Sequence, residues 1–150
     1  MIIVLFGQPG AGKTTLAKQF PSCKNIDGDE LRELFDNKDY SKEGRIRNLN
    51  RASDIAHYLH RHGNDVVLSL VYPYKEARDY LRSLESEVRF VYLYYRGNRG
   101  KEQFYVRDFE LDLLEENVWT LDTSILSEEE CIKQIYEYVG EKDTREREPS

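Results

Sequence analysis

Met1-Ile2-Ile3-Val4-Leu5-Phe6 runs straight into Gly7-Gln8-Pro9-Gly10-Ala11-Gly12-Lys13-Thr14 at the head of the chain. The apolar run does not alternate and is too short for a helix, so it reads as a strand covered on both faces. The segment behind it fits Gly-x-x-x-x-Gly-Lys-Ser/Thr at every position, the pattern of a phosphate-binding P-loop. The chemistry needs this spacing. Gly7 and Gly12 let the backbone bend tightly and approach a phosphate with no Cβ in the way. From Gly7 through Gln8, Pro9, Gly10, Ala11 and Gly12 to Lys13, Thr14 and Thr15, the loop turns backbone N–H groups onto an anion. The positive end of a helix starting near Lys13 assists it. Lys13 is placed to reach the β- and γ-phosphates, and the Thr14 hydroxyl to ligate Mg²⁺. A glycine-rich turn matching by chance would have no reason to sit between a buried strand and a helix. The stretch predicts a nucleoside triphosphate site.

Composition sets the surroundings. A chain of 150 residues is long enough to bury roughly two-thirds of its unfolded surface in one domain. The net charge of -6 argues against a general nucleic-acid or membrane binder, whose surfaces are basic, though it leaves room for a local basic pocket. Cys23 and Cys131 stand far apart and outside any metal-ligand or C-x-x-C spacing, so they read as isolated buried thiols of a reducing compartment. The N-terminus shows no positively charged leader pattern, and no apolar stretch approaches a membrane span. The expectation is a soluble, cytoplasmic protein.

Read in order, the chain alternates strands and helices. Thr14 to Phe20 continues as a short helix ended by Pro21. Cys23-Lys24-Asn25-Ile26 is a weak strand delivering Asp27-Gly28-Asp29, with Asp29 as N-cap of a helix over Glu30 to Phe35. The longest helix covers about Lys42 to His62, where Ile46, Leu49, Ser53, Ala56 and Leu59 share one face and Gly63-Asn64 closes it. Asp65 to Val71 is a second buried strand, Tyr74 to Leu84 a helix, and Val88 to Tyr95 a third strand. Arg96 to Glu116 is polar and reads as a long functional loop. Val118 to Leu121 is a last strand, and Ser127 caps a helix over Glu128 to Val139 with Glu130 at the capping-box position. The charged stretch 140–150 reads as a frayed tail. The fold class is α/β in three layers: a parallel central sheet of about five strands with helices on both faces. One domain, 1–139, carries a lid loop at about 96–116.

In such a sheet ligands sit at the C-terminal ends of the strands. That rule gathers Gly7–Thr14, Asp27 and Asp29, Val71-Tyr72-Pro73 and the loop after Tyr95 around one crevice. A carboxylate opposite a P-loop can orient an acceptor hydroxyl and take its proton, and a second can hold Mg²⁺ through water. Asp29 serving only as a cap and Asp27 only as a turn residue is the plainer alternative. Arg32 lies one helical turn after Asp29, and Arg45 and Asn48 share the same spacing on the long helix. Arginines converging on a crevice suit a phosphate or sulfate, because guanidinium donates in a planar fork. Arg47, Arg51 and Arg61 read as a solvated helix face. His57, His60 and His62 fall at a helix end without a matching carboxylate or thiol set, and carry no ligand role. Trp119, Tyr92, Tyr94 and Tyr95 read as core or sheet-face residues.

These residues form a pattern. Asp27-Gly-Asp-x-x-Arg32, Tyr40-Ser41-x-x-x-Arg45-x-x-Asn48-x-x-Arg51 and Ser69-x-x-x-Pro73-Tyr74-x-x-x-Arg78 together resemble the adenylylsulfate (APS) kinases. Phe104, Asp108-Phe-Glu110 and Leu121-Asp-Thr123 resemble the family's substrate-covering lid and the strand after it. The likeness spans about residues 1–125 in order and spacing. The resemblance implies a P-loop kinase that, with Mg²⁺, moves the γ-phosphoryl group of ATP to the ribose 3′-hydroxyl of APS, giving PAPS. By carry-over, Asp29 is the catalytic carboxylate and works with Lys13. Arg32, Arg45 and Asn48 bind phosphosulfate and ribose, and Tyr40 and Phe104 sandwich the adenine. Asp27, Val71, Tyr72, Pro73 and Lys101 complete the substrate side. A homodimer is compatible with the resemblance.

Two departures bear on the acceptor. Tyr72 stands where the family carries a Ser before Pro-Tyr, which excludes a phosphoserine mechanism there. The stretch Tyr95-Arg-Gly-Asn-Arg-Gly-Lys-Glu-Gln-Phe104 is shorter than the family's lid, with Arg96 or Arg99 left to reach the ATP phosphates and Lys101 one position from the lid lysine. A smaller lid excludes water less well and admits other acceptors. The rival readings are a kinase of another nucleotide or of a polynucleotide end, and a nucleotide-binding regulatory module without turnover.

Overall fold

The computed structural model describes residues 1–97, 100–111 and 118–147. Five strands run parallel in the order β2-β3-β1-β4-β5: β1 Ile2–Phe6, β2 Lys24–Asp27, β3 Val66–Ser69, β4 Val88–Tyr94 and β5 Val118–Asp122. The unbroken apolar run at the N-terminus takes the centre of the sheet, between β3 and β4, with all five residues of β1 buried. That is the position for which a strand needs apolar side chains on both faces.

The helices cover both faces, as the alternation of elements requires. Ile2, Val4 and Phe6 point to one side, into a core with Leu31, Leu49, Ala52, Ala56, Tyr72, Leu81 and Phe90. This layer is made by α2 (Gly28–Leu34), α3 (Lys42–Arg61) and α4 (Lys75–Leu84). Ile3 and Leu5 point to the other side, with Leu16, Phe20, Leu93, Cys131 and Ile135. That layer is α1 (Lys13–Ala17) and α5 (Glu128–Arg147). The period of two along β1 thus feeds two cores from one strand.

Several boundaries move. Asp27, not Asp29, caps α2: its carboxylate accepts from the Asp29 and Glu30 N–H groups at 2.8 and 3.4 Å. The helix therefore starts at Gly28, directly off the strand. α3 begins as read, with Ser41 Oγ accepting from the Gly44 N–H at 3.2 Å, and ends just before Gly63, whose φ is 86°. The capping box at α5 forms in both directions, Ser127 to Glu130 and back. The helical backbone of α5 continues beyond Val139 to Arg147, into the stretch read as tail. Cys23 is half-buried rather than buried, and Cys131 is buried. Tyr94 and Trp119 lie at the surface, where Trp119 stacks on Tyr138 of α5 with ring centres 5.2 Å apart. Among the described residues, no helix is long and apolar enough to cross a membrane.

Candidate functional site

The P-loop leaves β1 at its C-terminal end and closes at the first turn of α1. Gly7 is required there twice over: its φ is 152°, and a Cβ would lie 2.3 Å from the Leu93 carbonyl oxygen of the next strand. Gly12, at φ 99°, is the residue from which α1 starts. The loop is tied to the turns that follow β3 and β5. Gly7 N–H donates to Val71 O at 3.3 Å, and Thr123 Oγ1, just past β5, donates to Ala11 O at 2.9 Å. The Lys13 side chain folds over the loop and donates to Gly7 O at 3.0 Å and Gln8 O at 2.9 Å. Burial pushes its ammonium down to about 8, against the raising pull of Asp29 and then Asp27. A half-buried cation whose hydrogen bonds, among the described residues, go to neutral carbonyls is primed for an anion.

Beside the loop opens a cavity of about 850 Å³, lined by Pro9, Gly10, Lys13 and Thr14 on one side. Asp27 and Asp29, from the end of β2 and the start of α2, form its floor, and Arg32, Arg45 and Asn48 line it from α2 and α3. Val71 and Pro73 after β3, and Lys101, Phe104, Tyr105 and Val106 after β4, complete the wall. The sequence reading gathered these segments by the strand-end rule, and the fold brings them together.

The residues that α2, α3 and the loop between them bring to the cavity are held by a polar web. Arg32 donates to Asn37 O, Asn37 Oδ1 and Asp39 O at 3.1–3.3 Å, and its guanidinium lies 4.1 Å from the centre of the Tyr40 ring. This fixes the loop between α2 and α3 and presents Tyr40 at the rim, 62% exposed. Burial lowers the Arg32 pKa, with no effect on its charge near neutrality. Gly44 lets that loop press on α3, since a Cβ there would meet the Asp39 carbonyl at 2.3 Å. Asn48 is buried at 4% exposure and donates weakly to Gly28 O at 3.5 Å. Its Oδ1 has no hydrogen-bond partner among the described residues. An orphaned acceptor lining a cavity calls for a donor from a ligand.

Other expectations are corrected. The Tyr72 side chain does not face the cavity: the residue is fully buried, and its hydroxyl shares a 2.8 Å hydrogen bond with Ser53 Oγ of α3. A φ of 45° turns it inward, costing roughly 1–2 kcal/mol for such a residue, and burial pushes its phenol up. Arg96 pairs with Asp122 at 3.1 Å instead of lining the cavity, and Arg99 lies outside the described residues. His57 and His60 do have a matching carboxylate, both reaching Glu85 Oε1, at 2.8 and 3.0 Å. Arg47 is exposed, as its reading on a solvated face expected, and pairs with Asp39 at 2.7 Å, whereas Arg51 lies over the Phe35 ring. Ser69, Gln103, Tyr105 and Val106 also line the cavity. Of these, Ser69 was within reach of the strand-end rule, while Gln103, Tyr105 and Val106 lie in the loop read as functional but were not singled out within it.

Thr14 is exposed at the start of α1, and its hydroxyl with the Asp27 and Asp29 carboxylates makes a hard-oxygen set that fits Mg²⁺. Among the described residues no group of three or more His, Cys, Asp or Glu could hold a metal ion alone. A magnesium ion carried in on phosphates needs no such cage.

The sequence pattern of the adenylylsulphate kinase family matches residues 1–104. A probable adenylyl-sulfate kinase of Aeropyrum pernix is 33% identical over 109 residues, spanning 65% of this chain and 60% of that protein. The adenylyl-sulfate kinase of Bacillus licheniformis is 30% identical over 169 residues, spanning 94% and 85%. The Mycobacterium tuberculosis APS kinase, solved in complex with AMPPNP and APS, superposes with a TM-score of 0.78 over 93% of this chain and 96% of its own, at 18% identity.

Proposed function

The chain belongs to the adenylylsulphate kinase family, and from that premise we propose that it transfers the γ-phosphoryl group of ATP to the 3′-hydroxyl of APS, giving PAPS. The observation that carries this reading is the single cavity in which Lys13 and Thr14 face Asp29, Arg32, Arg45 and Asn48. Phosphoryl donor and alcohol acceptor need to meet in line in such a space.

Each residue has a task. The P-loop N–H groups and the Lys13 ammonium hold the β- and γ-phosphates and take up charge that builds on them during transfer. The Asp29 carboxylate orients the acceptor hydroxyl and accepts its proton as the new O–P bond forms and the bond to the ADP leaving group breaks. Of the two carboxylates, Asp29 acts more strongly on Lys13, in keeping with a place beside the transferred group. Mg²⁺, held by Thr14 and the phosphates with Asp27 behind a water, would neutralise charge on the β- and γ-oxygens. Arg32 and Arg45 grip the phosphosulfate, and Asn48 Oδ1 accepts from a ribose hydroxyl. Tyr40 and Phe104, 62% and 58% exposed, close on the adenine from two sides. The substitution of Ser by Tyr72 leaves this direct transfer intact, because the ring lies in the core. We place the protein in the cytoplasm, where ATP is supplied.

The test is ADP release with Mg·ATP and a panel of acceptors: APS, 5′-AMP, other nucleotides and a 5′-hydroxyl oligonucleotide. Turnover on APS alone is the expected result. Turnover on another acceptor would keep Lys13 and Asp29 in their roles and change the substrate, while ATP binding without any turnover would leave a regulatory module.

A further inference from the structure

Two contacts meet at Gln8, the first variable position of the P-loop. Its carbonyl accepts from Lys13 Nζ at 2.9 Å. Its side-chain amide pairs with Val106, 98 residues away: Nε2 donates to Val106 O at 2.8 Å, and Oε1 accepts from Val106 N–H at 2.9 Å. Val106 is only 5% exposed, so its two backbone groups depend on this partner. An amide that satisfies both groups of one residue holds it as a neighbouring strand would.

The segment that follows is pinned at alternate residues. Tyr74 Oη donates to the Asp108 carboxylate at 3.0 and 3.1 Å. Glu110 N–H donates to Pro73 O at 2.7 Å, and Glu110 O accepts from Arg78 Nη2 at 2.7 Å. The Asp108 and Glu110 attachments lead to α4 and the turn before it. The Val106 attachment leads to the nucleotide side, and it lies two residues from Phe104 on the acceptor side.

We infer that Gln8 is a positioning residue that couples the phosphate loop to the segment crossing the acceptor site. A phosphate outbids a neutral carbonyl for the Lys13 ammonium, because charge-assisted hydrogen bonds are the stronger ones. Phosphate arrival therefore removes a partner from the Gln8 carbonyl while the loop tightens round the anion, and the same residue holds Val106. Each site then biases the other by one coupling free energy, equal in both directions. The inference rests on the proposed function only for the identity of the acceptor.

Amide hydrogen exchange of the 100–111 segment, with and without Mg·AMPPNP, tests it in the full chain. AMPPNP should slow exchange at the Val106 amide at least threefold in the unaltered protein. In Gln8→Met, which keeps the length of the side chain and removes both hydrogen bonds, that response should vanish while the α1 segment still responds. Gln8→Asn, an amide one methylene too short, should behave as Gln8→Met and serves if the first variant folds poorly. An equal response at Val106 in all three proteins overturns the inference, as does no response in the unaltered one. With APS as second ligand, the ratio of its affinities with and without AMPPNP should fall towards one in Gln8→Met. APS that binds neither form would strike the proposed acceptor and leave the exchange result standing.

Discussion

The two halves of the crevice are built in opposite ways. The half proposed for the nucleotide is one contiguous stretch, Gly7 to Thr15, fixed by glycine geometry and by its place at the end of the central strand. The half proposed for the acceptor is assembled from β2, α2, α3, the turn after β3 and the segment after β4. Its side chains are oriented by hydrogen bonds such as those of Arg32 to the loop before α3. A local loop tolerates change around it and fails when one of its own residues is lost. An assembled wall can shift its shape by small moves in any contributing segment, and the proposed function puts the choice of acceptor there.

Substitutions should divide along that line. Lys13→Ala removes the charge in the nucleotide half and should lower kcat roughly 10³-fold; a loss below tenfold in steady-state assays would break the comparison on that side. Asp29→Ala sits at the seam and should cut turnover by roughly 10²-fold with ATP binding near normal. Phosphorylation of the acceptor at an undiminished rate would remove Asp29 from catalysis. Arg45→Ala should raise the acceptor KM about tenfold and leave ATP affinity nearly unaffected, and the reverse pattern would move α3 to the nucleotide half.

The pH dependence of ATP binding sharpens the contrast. Phosphate needs Lys13 protonated, and burial has lowered its pKa to about 8. Bound phosphate raises that pKa, so binding takes up a proton above pH 8. Affinity should be flat with respect to this group below about pH 8. It should fall by up to about tenfold per pH unit above it, until the pKa of the complex is reached. Titration calorimetry between pH 7 and 9.5 would show this, and a flat profile would contradict it. The smallest effect belongs to Tyr72→Phe. Loss of the bond to Ser53 should lower unfolding stability by about 1 kcal/mol in denaturant titration, with both KM values unmoved. A raised acceptor KM would return Tyr72 to the site.

The sequence was legible where its signals were local or followed from topology. The P-loop spacing, the cap at Ser127, the start of α3 after Ser41 and the convergence of strand ends could all be read from spacing and pattern. The start of α2 was misread because Asp27 and Asp29 can both cap a helix, and only the end of β2 at Asp27 decides between them. Tyr72 was assigned by its place in a motif, which gives position but not side-chain direction; its φ of 45° turns the ring inward. The Gln8–Val106 pair and the Glu85 carboxylate shared by His57 and His60 join residues distant in sequence, with no periodicity to announce them.

The central claim is tested most directly by following the phosphoryl group itself. The protein would be incubated with Mg²⁺, APS and ATP labelled at the γ-phosphate, and the labelled product identified. Label is expected on the 3′-oxygen of APS, one for each ADP released, and should be lost in Asp29→Ala. Label released as inorganic phosphate at a rate that ignores APS, or delivered to another position or another acceptor, would contradict it.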